Sequence, residues 1–343
     1  MTHRTSLRVA GAVAGAALLA TGGLAHAQDE RTLDVDIVAN SLGIHIPYMA
    51  ALNEVLPEME GYGAPNVERN SKLEVITQSV LTGSSEFGAG DAISTLRAVE
   101  AGADLKIIGN AFTNTSLVFV ANAETIKEMK DLEKDGVTVA VNSPGDFTHV
   151  MLIKPLQDAG VDIDEVNVIT MGGSGTRLRA LLAGRVDAVP IHFDQAQQLP
   201  QDQYTVLIEP WGVYDNFLGE VWMASGEWLE DEANQRAAVD LLKANIKAFR
   251  RAQEDPEWYA AAFREYGTQD TMATASEEEI EAIRMQLANE VNAWPRDMNH
   301  RVAVYEELMP IYKAAGAVEG TVDLDTVIDT SFVEQALKEL EAE

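Results

Sequence analysis

Twice along the chain a short apolar segment runs into a loop of small polar residues, then an amphipathic helix, then a closing glycine. Such strand–helix alternation admits few folds other than α/β layers. In the first series LDVDIVA, residues 33–39, alternates apolar and polar residues as a strand does, and Asn40-Ser41-Leu42-Gly43-Ile44-His45 follows as a loop before a helical pattern over 47–56. Ser71 with Glu74 makes a capping box for a helix running to about Leu81, with Gly83 as its stop. Residues 87–89 read as a short strand, Gly90-Asp91 opens a helix over 92–101 that Gly102 closes, and 105–109 is apolar enough for a buried strand. Repeats of this kind imply a parallel sheet.

The second series starts after a strand-like stretch over 116–121 and a charged helix over 124–132. A buried strand at 137–141 runs into Asn142-Ser143-Pro144-Gly145-Asp146, where Ser143 is the expected N-cap, Pro144 the first helical residue and Asp146 the partner in a capping box. Pro155 removes a backbone hydrogen bond inside that helix, which predicts a kink or split near Ile153, and Gly160 ends it. A strand at 166–170 leads through Gly172-Gly173-Ser174-Gly175 into a helix over 176–183, capped by Gly184, and then a strand at 186–190. Beyond 220–224 come amphipathic helices over 234–254, 256–266, 276–291 and 301–315; only Asn245 interrupts the apolar face of the first. Glu277, Glu278 and Glu279 at a helix start complement its dipole and face solvent.

Composition excludes several functions. The chain has no cysteine, so disulfides, cysteine zinc sites and thiol catalysis are absent. A formal charge of −30 over 343 residues repels phosphate backbones and anionic lipid, which argues against nucleic-acid and membrane-surface partners. His3, Arg4 and Arg8 precede an apolar run at 9–20 that is too short to span a bilayer, and Ala25 and Ala27 fit a cleavage site. Residues 1–27 therefore read as a signal peptide cleaved after Ala27. With no cysteine to carry lipid, the product is expected free in the periplasm of a Gram-negative cell.

Local catalytic motifs are missing. The run Gly172-Gly173-Ser174-Gly175-Thr176-Arg177 lacks the third glycine of a dinucleotide fingerprint, no phosphate-binding G-x-x-x-x-G-K-[ST] occurs, and Gly173-Ser174-Gly175 lacks the spacing of a nucleophile elbow. His45, His149, His192 and His300 never pair at helical ligand spacing, so neither a metal nor another cofactor is expected. Strand ends carry Asn40-Ser41, Asn70-Ser71, Gly90-Asp91, Ser143-Pro144-Gly145 and Gly173-Ser174. Ligands of open parallel sheets sit there, where helix starts present free N–H groups to an anion or carbonyl. Each residue also suits a helix cap. His45 and His192 have loop packing or ligand contact open to them, and Asp194 either a ligand amine or a cap.

The stretch 137–189, with VAVNSPG and GGSGTRLRALLAGRVDAV, resembles the nitrate, taurine, aliphatic sulfonate and thiamine-pyrimidine group of periplasmic solute-binding proteins of ABC importers. The likeness continues through GAGDAISTLRAVEAGADLKIIG from Gly88, KAFRRAQEDPEWYAAAF from Lys247 and DTSFVEQALKEL from Asp329. It implies an α/β, two-lobed periplasmic-binding-protein fold of type II, each lobe a βα sandwich, with two interlobe crossings near 112–120 and 217–224. Lobe one would comprise 31–115 and 223–343, and lobe two 116–222. Carried onto this sequence, the cleft-lining loops fall on Ser41, Leu42, Gly43 and His45, on Ser71 and Asp91, on Ser143, Pro144, Gly145 and Asp146, on Gly173 and Ser174, and on His192, Phe193 and Asp194. Trp222, on the returning crossing, would stack on a planar ligand or fill the hinge core, the core being favoured.

The resemblance further implies a monomer that hands a small solute to the transmembrane permease of an importer driven by a cytoplasmic ATPase. The alternatives are a solute-binding module for a sensor or chemoreceptor, and a secreted enzyme using an acid–base pair such as Asp91 and His192. The family's fungal pyrimidine-forming relatives use cysteine-bearing motifs and a bound cofactor, and this cysteine-free chain departs from them. Helix starts and serines suit sulfonate, nitrate or carboxylate, whereas Asp91, Asp146 and Asp194 with Trp222 suit a planar amine-bearing ring such as a pyrimidine. Arg177 and Arg179 lie inside a helix instead of at a strand end, which tells against a strong anion. Leu42, Ile44 and Phe193 leave room for an organic group, so an organic solute is expected over nitrate.

Overall fold

A computed structural model describes residues 30–343 apart from 40, 215 and 269, so the expected leader and its cleavage site lie outside the described residues. The first layer is built from β1 (Asp34–Val38), α1 (Ile46–Ala50, continued by a π-turn over Ala51–Val55), β2 (Asn66–Asn70), α2 (Leu73–Leu81), β3 (Phe87–Gly90), α3 (Ala92–Glu100) and β4 (Leu105–Phe112). The second holds β5 (Leu117–Asn122), β6 (Val139–Val141), α4 (Phe147–Ala159), β7 (Val168–Thr170), α5 (Ser174–Leu182), β8 (Ala188–His192), α6 (Phe193–Ala196) and β9 (Tyr204–Ile208). The chain then returns to the first layer through β10 (Glu220–Ser225). Among the described residues seven α-helices follow: α7 (Glu232–Glu254), α8 (Pro256–Tyr266), α9 (Asp270–Thr274), α10 (Glu277–Met285), α11 (Val302–Ala314), α12 (Leu324–Val327) and α13 (Ser331–Ala342).

The two five-stranded sheets share one plan. Their orders are β2-β1-β3-β10-β4 and β7-β6-β8-β5-β9. In each, the βα strands run parallel while one strand arriving from the other layer, β10 or β5, lies antiparallel between its neighbours. The parallel arrangement expected from the repeats holds for the βα strands, and β10 and β5 each add one antiparallel strand. Chain crossings at 113–116 and 209–219 join the layers, so β4 runs on into β5, and β9 returns to β10.

The cores follow from the apolar runs. Val35, Ile37, Phe87, Ile107, Val139, Val189 and Trp222 are fully buried, and Trp222 meets the edge of Tyr48 with centroids 5.9 Å apart. Trp222 is thus a core residue at the returning strand. Asp36, which the alternation of LDVDIVA would place toward solvent, is buried and takes both hydrogen bonds of the Asn70 amide at 2.8 and 2.9 Å. Asn245 likewise turns inward, donating to Leu241 O at 2.8 Å. Glu277 to Glu279 occupy the exposed first turn of α10, as the sequence suggested, and Ser276 with Glu279 forms a capping box there.

Helix starts show where local rules were overruled. Lys72, not Ser71, is the N-cap of α2 and supplies no side-chain cap. Asp146, not Ser143, caps α4, accepting from His149 N at 3.0 Å, and α4 continues through Pro155 to Ala159. The charged stretch at 124–132 forms a 3-10 turn over Met129–Glu133 and not an α-helix. Edge strand β2, Asn-Val-Glu-Arg-Asn, carries no apolar signal, whereas β9, Tyr-Thr-Val-Leu-Ile, is apolar and is missing from the strands read in the sequence. Because Lys72 is exposed with extended backbone at φ −122° and ψ 124°, Lys72→Ser should add the missing cap and raise stability by about 0.5–1 kcal/mol, read by urea unfolding.

Candidate functional site

The carboxyl ends of the parallel strands converge on a cleft between the lobes of about 620 Å³, its open mouth included. Val38 and Ala39 at the end of β1, Asn70 and Ser71 at the end of β2, Asn142 after β6 and His192 at the end of β8 all line it, with Gly173 and Ser174 at the start of α5. Phe112 ends β4, and the antiparallel strands contribute their amino ends: Thr115 and Ser116 lead into Leu117 at the start of β5, and Glu220 starts β10. Strands β5 and β10 begin where their parallel neighbours finish, so their first residues face the same space.

Of the residues singled out in the sequence, His45, Ser71, Gly173, Ser174 and His192 line this cleft. The others do not. Ser41 is buried beneath it, its Oγ accepting from Arg69 at 2.9 Å. Leu42 N donates to His45 Nδ1 at 3.0 Å, and Gly43 O accepts from the Tyr259 hydroxyl at 2.9 Å. Asp91 caps α3, accepting from Ser94 N at 2.7 Å and Ser94 Oγ at 2.8 Å. Ser143 and Pro144 turn away toward solvent, while Gly145 takes φ +74° in a turn whose N–H donates to His149 Nδ1 at 2.9 Å. Phe193 is buried against Trp211, and Asp194 borders a separate groove with Gln197 and Phe263. Trp222 lies in the core.

The polar groups of the cleft pair within each lobe, and two histidines meet across it. His45 follows β1, and its Nδ1 accepts from Leu42 N, which leaves the ring proton on Nε2, 3.5 Å from Glu220 Oε1. His192, on the other lobe, has its Nδ1 2.5 Å from Ser116 Oγ, and the two imidazoles meet edge to face with centroids 5.6 Å apart. Phe112 packs edge-on to His45 at 5.4 Å. Burial first, then the neighbouring His45 and Arg177, hold His192 well below the usual imidazole range, so it is neutral at pH 7. Burial likewise raises the Glu220 carboxyl, against the pull of His45.

Arg177 is the residue that sequence reasoning set aside. It does lie inside α5, but in the first turn, and helical side chains lean back toward the amino end. Its guanidinium therefore reaches the cleft wall, 2% exposed, with Nε donating to Pro190 O at 2.8 Å and Nη1 to Gly172 O. Burial pushes it down to about 10, still charged at neutral pH. Gly173, the N-cap of α5, has no side chain to offer, so the first-turn amides beside Arg177 carry no side-chain cap. Among the described residues no group of three or more acidic or histidine ligands could hold a metal.

The model of the family described as NMT1/THI5 like matches residues 67–258. Comparison with curated protein sequences found no match. The fold is shared with the ligand-binding component of an ABC-type import system from Staphylococcus aureus with zinc bound, at TM-score 0.72 and 10% identity, over 90% of this chain and 99% of that one. It is shared with the periplasmic nitrate-binding protein NrtA from Synechocystis PCC 6803, at TM-score 0.72 and 13% identity, over 92% and 90% of the two chains. The alkanesulfonate-binding protein SsuA from Xanthomonas axonopodis pv. citri, bound to MOPS, aligns at TM-score 0.64 and 15% identity, over 90% and 98%. Together they establish the two-lobed periplasmic-binding-protein fold.

Proposed function

The chain belongs to the NMT1/THI5-like family, and on that premise we propose that it is the periplasmic solute-binding component of an ABC importer, capturing a small organic solute between its lobes and delivering it to a membrane permease. The observation that carries this reading is the cleft itself, lined from both lobes at the carboxyl ends of the strands. A solute touching His45 and Glu220 on one side and Asn142, Ser174 and Arg177 on the other would stabilise the closed arrangement over the open one by those shared contacts. The permease then reads closure, and the ATPase behind it drives release.

In this reading lobe one comprises 31–115 with 220–343 and lobe two 116–219, the boundary expected at 222/223 moving to 219/220 because β10 pairs with β3 and β4 from Glu220 onward, and the leader directs export. No helix among the described residues is long and apolar enough to cross a membrane. We place the protein outside the enzymes. The acid–base pair weighed from the sequence is not assembled for that work, because Asp91 is taken up in capping α3 and does not line the cleft beside His192.

The test is a thermal-shift titration of the mature protein, refolded to strip carried-over ligand, against sulfonates, nitrate, carboxylates, pyrimidines, flavins and amines. A ligand at about 1,000 times its Kd should add roughly 4 kcal/mol, a rise of several degrees in Tm. Turnover of the hits would move the protein to the enzymes, and no shift by any solute in a folded sample would remove the importer reading.

A further inference from the structure

Resting on the solute-binding reading, we propose that the solute carries a nitrogen N–H donor, of an amine, amide or amidine group, which Glu220 Oε2 accepts, making Glu220 the specificity-determining residue of the cleft. Glu220 lines the cleft at 4% exposure, and its Oε2 is buried without a hydrogen-bond partner. On the opposite lobe Asn142 also lines the cleft, 7% exposed, with its Oδ1 buried and unpartnered. Both orphans are acceptors. A buried acceptor left unpaired is unfavourable, more so for a carboxyl, so these two positions favour a ligand that brings hydrogen to them.

Some of the donors around the cleft are spent on the protein. Arg177 gives Nε to Pro190 O and Nη1 to Gly172 O, Asn70 gives its amide to Asp36, and Thr148 gives its hydroxyl to Asp146 Oδ1 at 2.7 Å. A solute made only of acceptor oxygens, such as nitrate or a simple alkanesulfonate, would meet Arg177 and the start of α5 but leave Glu220 Oε2 facing another acceptor. A solute with an N–H satisfies Glu220, and with a second donor or a broad polar edge reaches Asn142, joining the lobes. The charge of −30 over the whole chain adds attraction for a cationic nitrogen. Sites built to receive a particular N–H reject the analogue that lacks it far more strongly than apolar pockets reject a missing methylene.

The experiment is calorimetric titration of refolded protein with matched pairs that differ by one nitrogen: aminoethanesulfonate against ethanesulfonate, β-alanine against propionate, aminopyrimidine against pyrimidine, and benzylamine against benzyl alcohol. The N–H member of the binding pair should be tighter by on the order of 100-fold. In Glu220→Gln, which keeps the size but replaces an acceptor by a donor, that preference should fall to within about threefold. Asn142→Leu should weaken the same preference with residue 220 intact, so the proposal does not hang on one variant folding. Equal binding within the pairs, or a preference that survives Glu220→Gln, overturns the proposal. Binding confined to nitrate or other solutes without N–H overturns it while leaving the importer reading standing, and binding of nothing in either panel overturns both.

Discussion

Gly219→Ala should destabilise the protein by about 3 kcal/mol, lower Tm by roughly 5–10 °C and weaken solute binding about tenfold. Gly219 lies in the second crossing, immediately before Glu220, and the first crossing passes directly beneath it. A Cβ there would fall onto the Phe112 ring and come 2.7 Å from Asn114 O. The ring has some room to turn, but the carbonyl belongs to backbone that links β4 to β5 and moves only if the crossings part. That places the effect at the upper end of overpacking penalties. Phe112 lines the cleft and packs on His45, so its displacement carries to the His45–Glu220 pair, and binding should suffer along with stability. Gly212→Ala is the internal control: no atom lies within 4 Å of a Cβ at that position, and its stability should stay within about 0.5 kcal/mol of the parent. A Gly219→Ala protein as stable as the Gly212→Ala protein would mean that the crossings do not touch there in solution.

What the sequence disclosed and what it withheld divide along physical lines. Helices ended by Gly83, Gly102, Gly160 and Gly184 were legible because each of these glycines takes a positive φ that other residues resist. Central strands were legible because both faces are buried, as in Phe87–Gly90 and Val139–Val141. Edge strand β2, Asn-Val-Glu-Arg-Asn, is half exposed throughout, and its pairing with β1 supplies an order that no apolar pattern announces. The same holds for the site. His45, Ser71, Gly173, Ser174 and His192 follow from the rule that ligands lie past the carboxyl ends of parallel strands. Glu220, Thr115 and Ser116 escape that rule because they precede strands, and only knowledge that β5 and β10 run antiparallel puts them at the same edge. Asp91, Ser143 and Asp146 show its other limit: a residue suited to receive a ligand at a helix start is equally suited to cap the helix, and two of these three are engaged as caps.

Asp146→Asn should strongly change how stability depends on pH. Asp146 accepts from His149 N and the Thr148 hydroxyl through Oδ1, while Oδ2 is buried without a partner. Burial raises its carboxyl to about 7, the nearby Asp91 adding to the rise, while Thr148, His149 and Arg177 work against it. In the unfolded chain the same group titrates near 4. Between about pH 4 and 7 the native state therefore holds a proton that the unfolded state has released, and stability falls as pH rises through that window. Three units of difference correspond to about 4 kcal/mol at most. Asparagine caps a helix as well as aspartate and never ionises, so the parent should lose stability relative to Asp146→Asn by up to that amount from pH 4 to pH 8. Taking the difference between the two proteins removes the groups they share, such as His300, which burial holds near 4, and Asp194, raised to about 6. Urea unfolding at five pH values measures it; a difference that stays flat would mean that water reaches Asp146 and its carboxyl ionises in the ordinary range. The consequence for binding runs through Thr148, which donates to Asp146 Oδ1, accepts from Asn142 N and lines the cleft. Ionising Asp146 strengthens that chain and fixes the wall carrying Asn142, so solute affinity and fold stability should move in opposite directions as pH rises from 5 to 8.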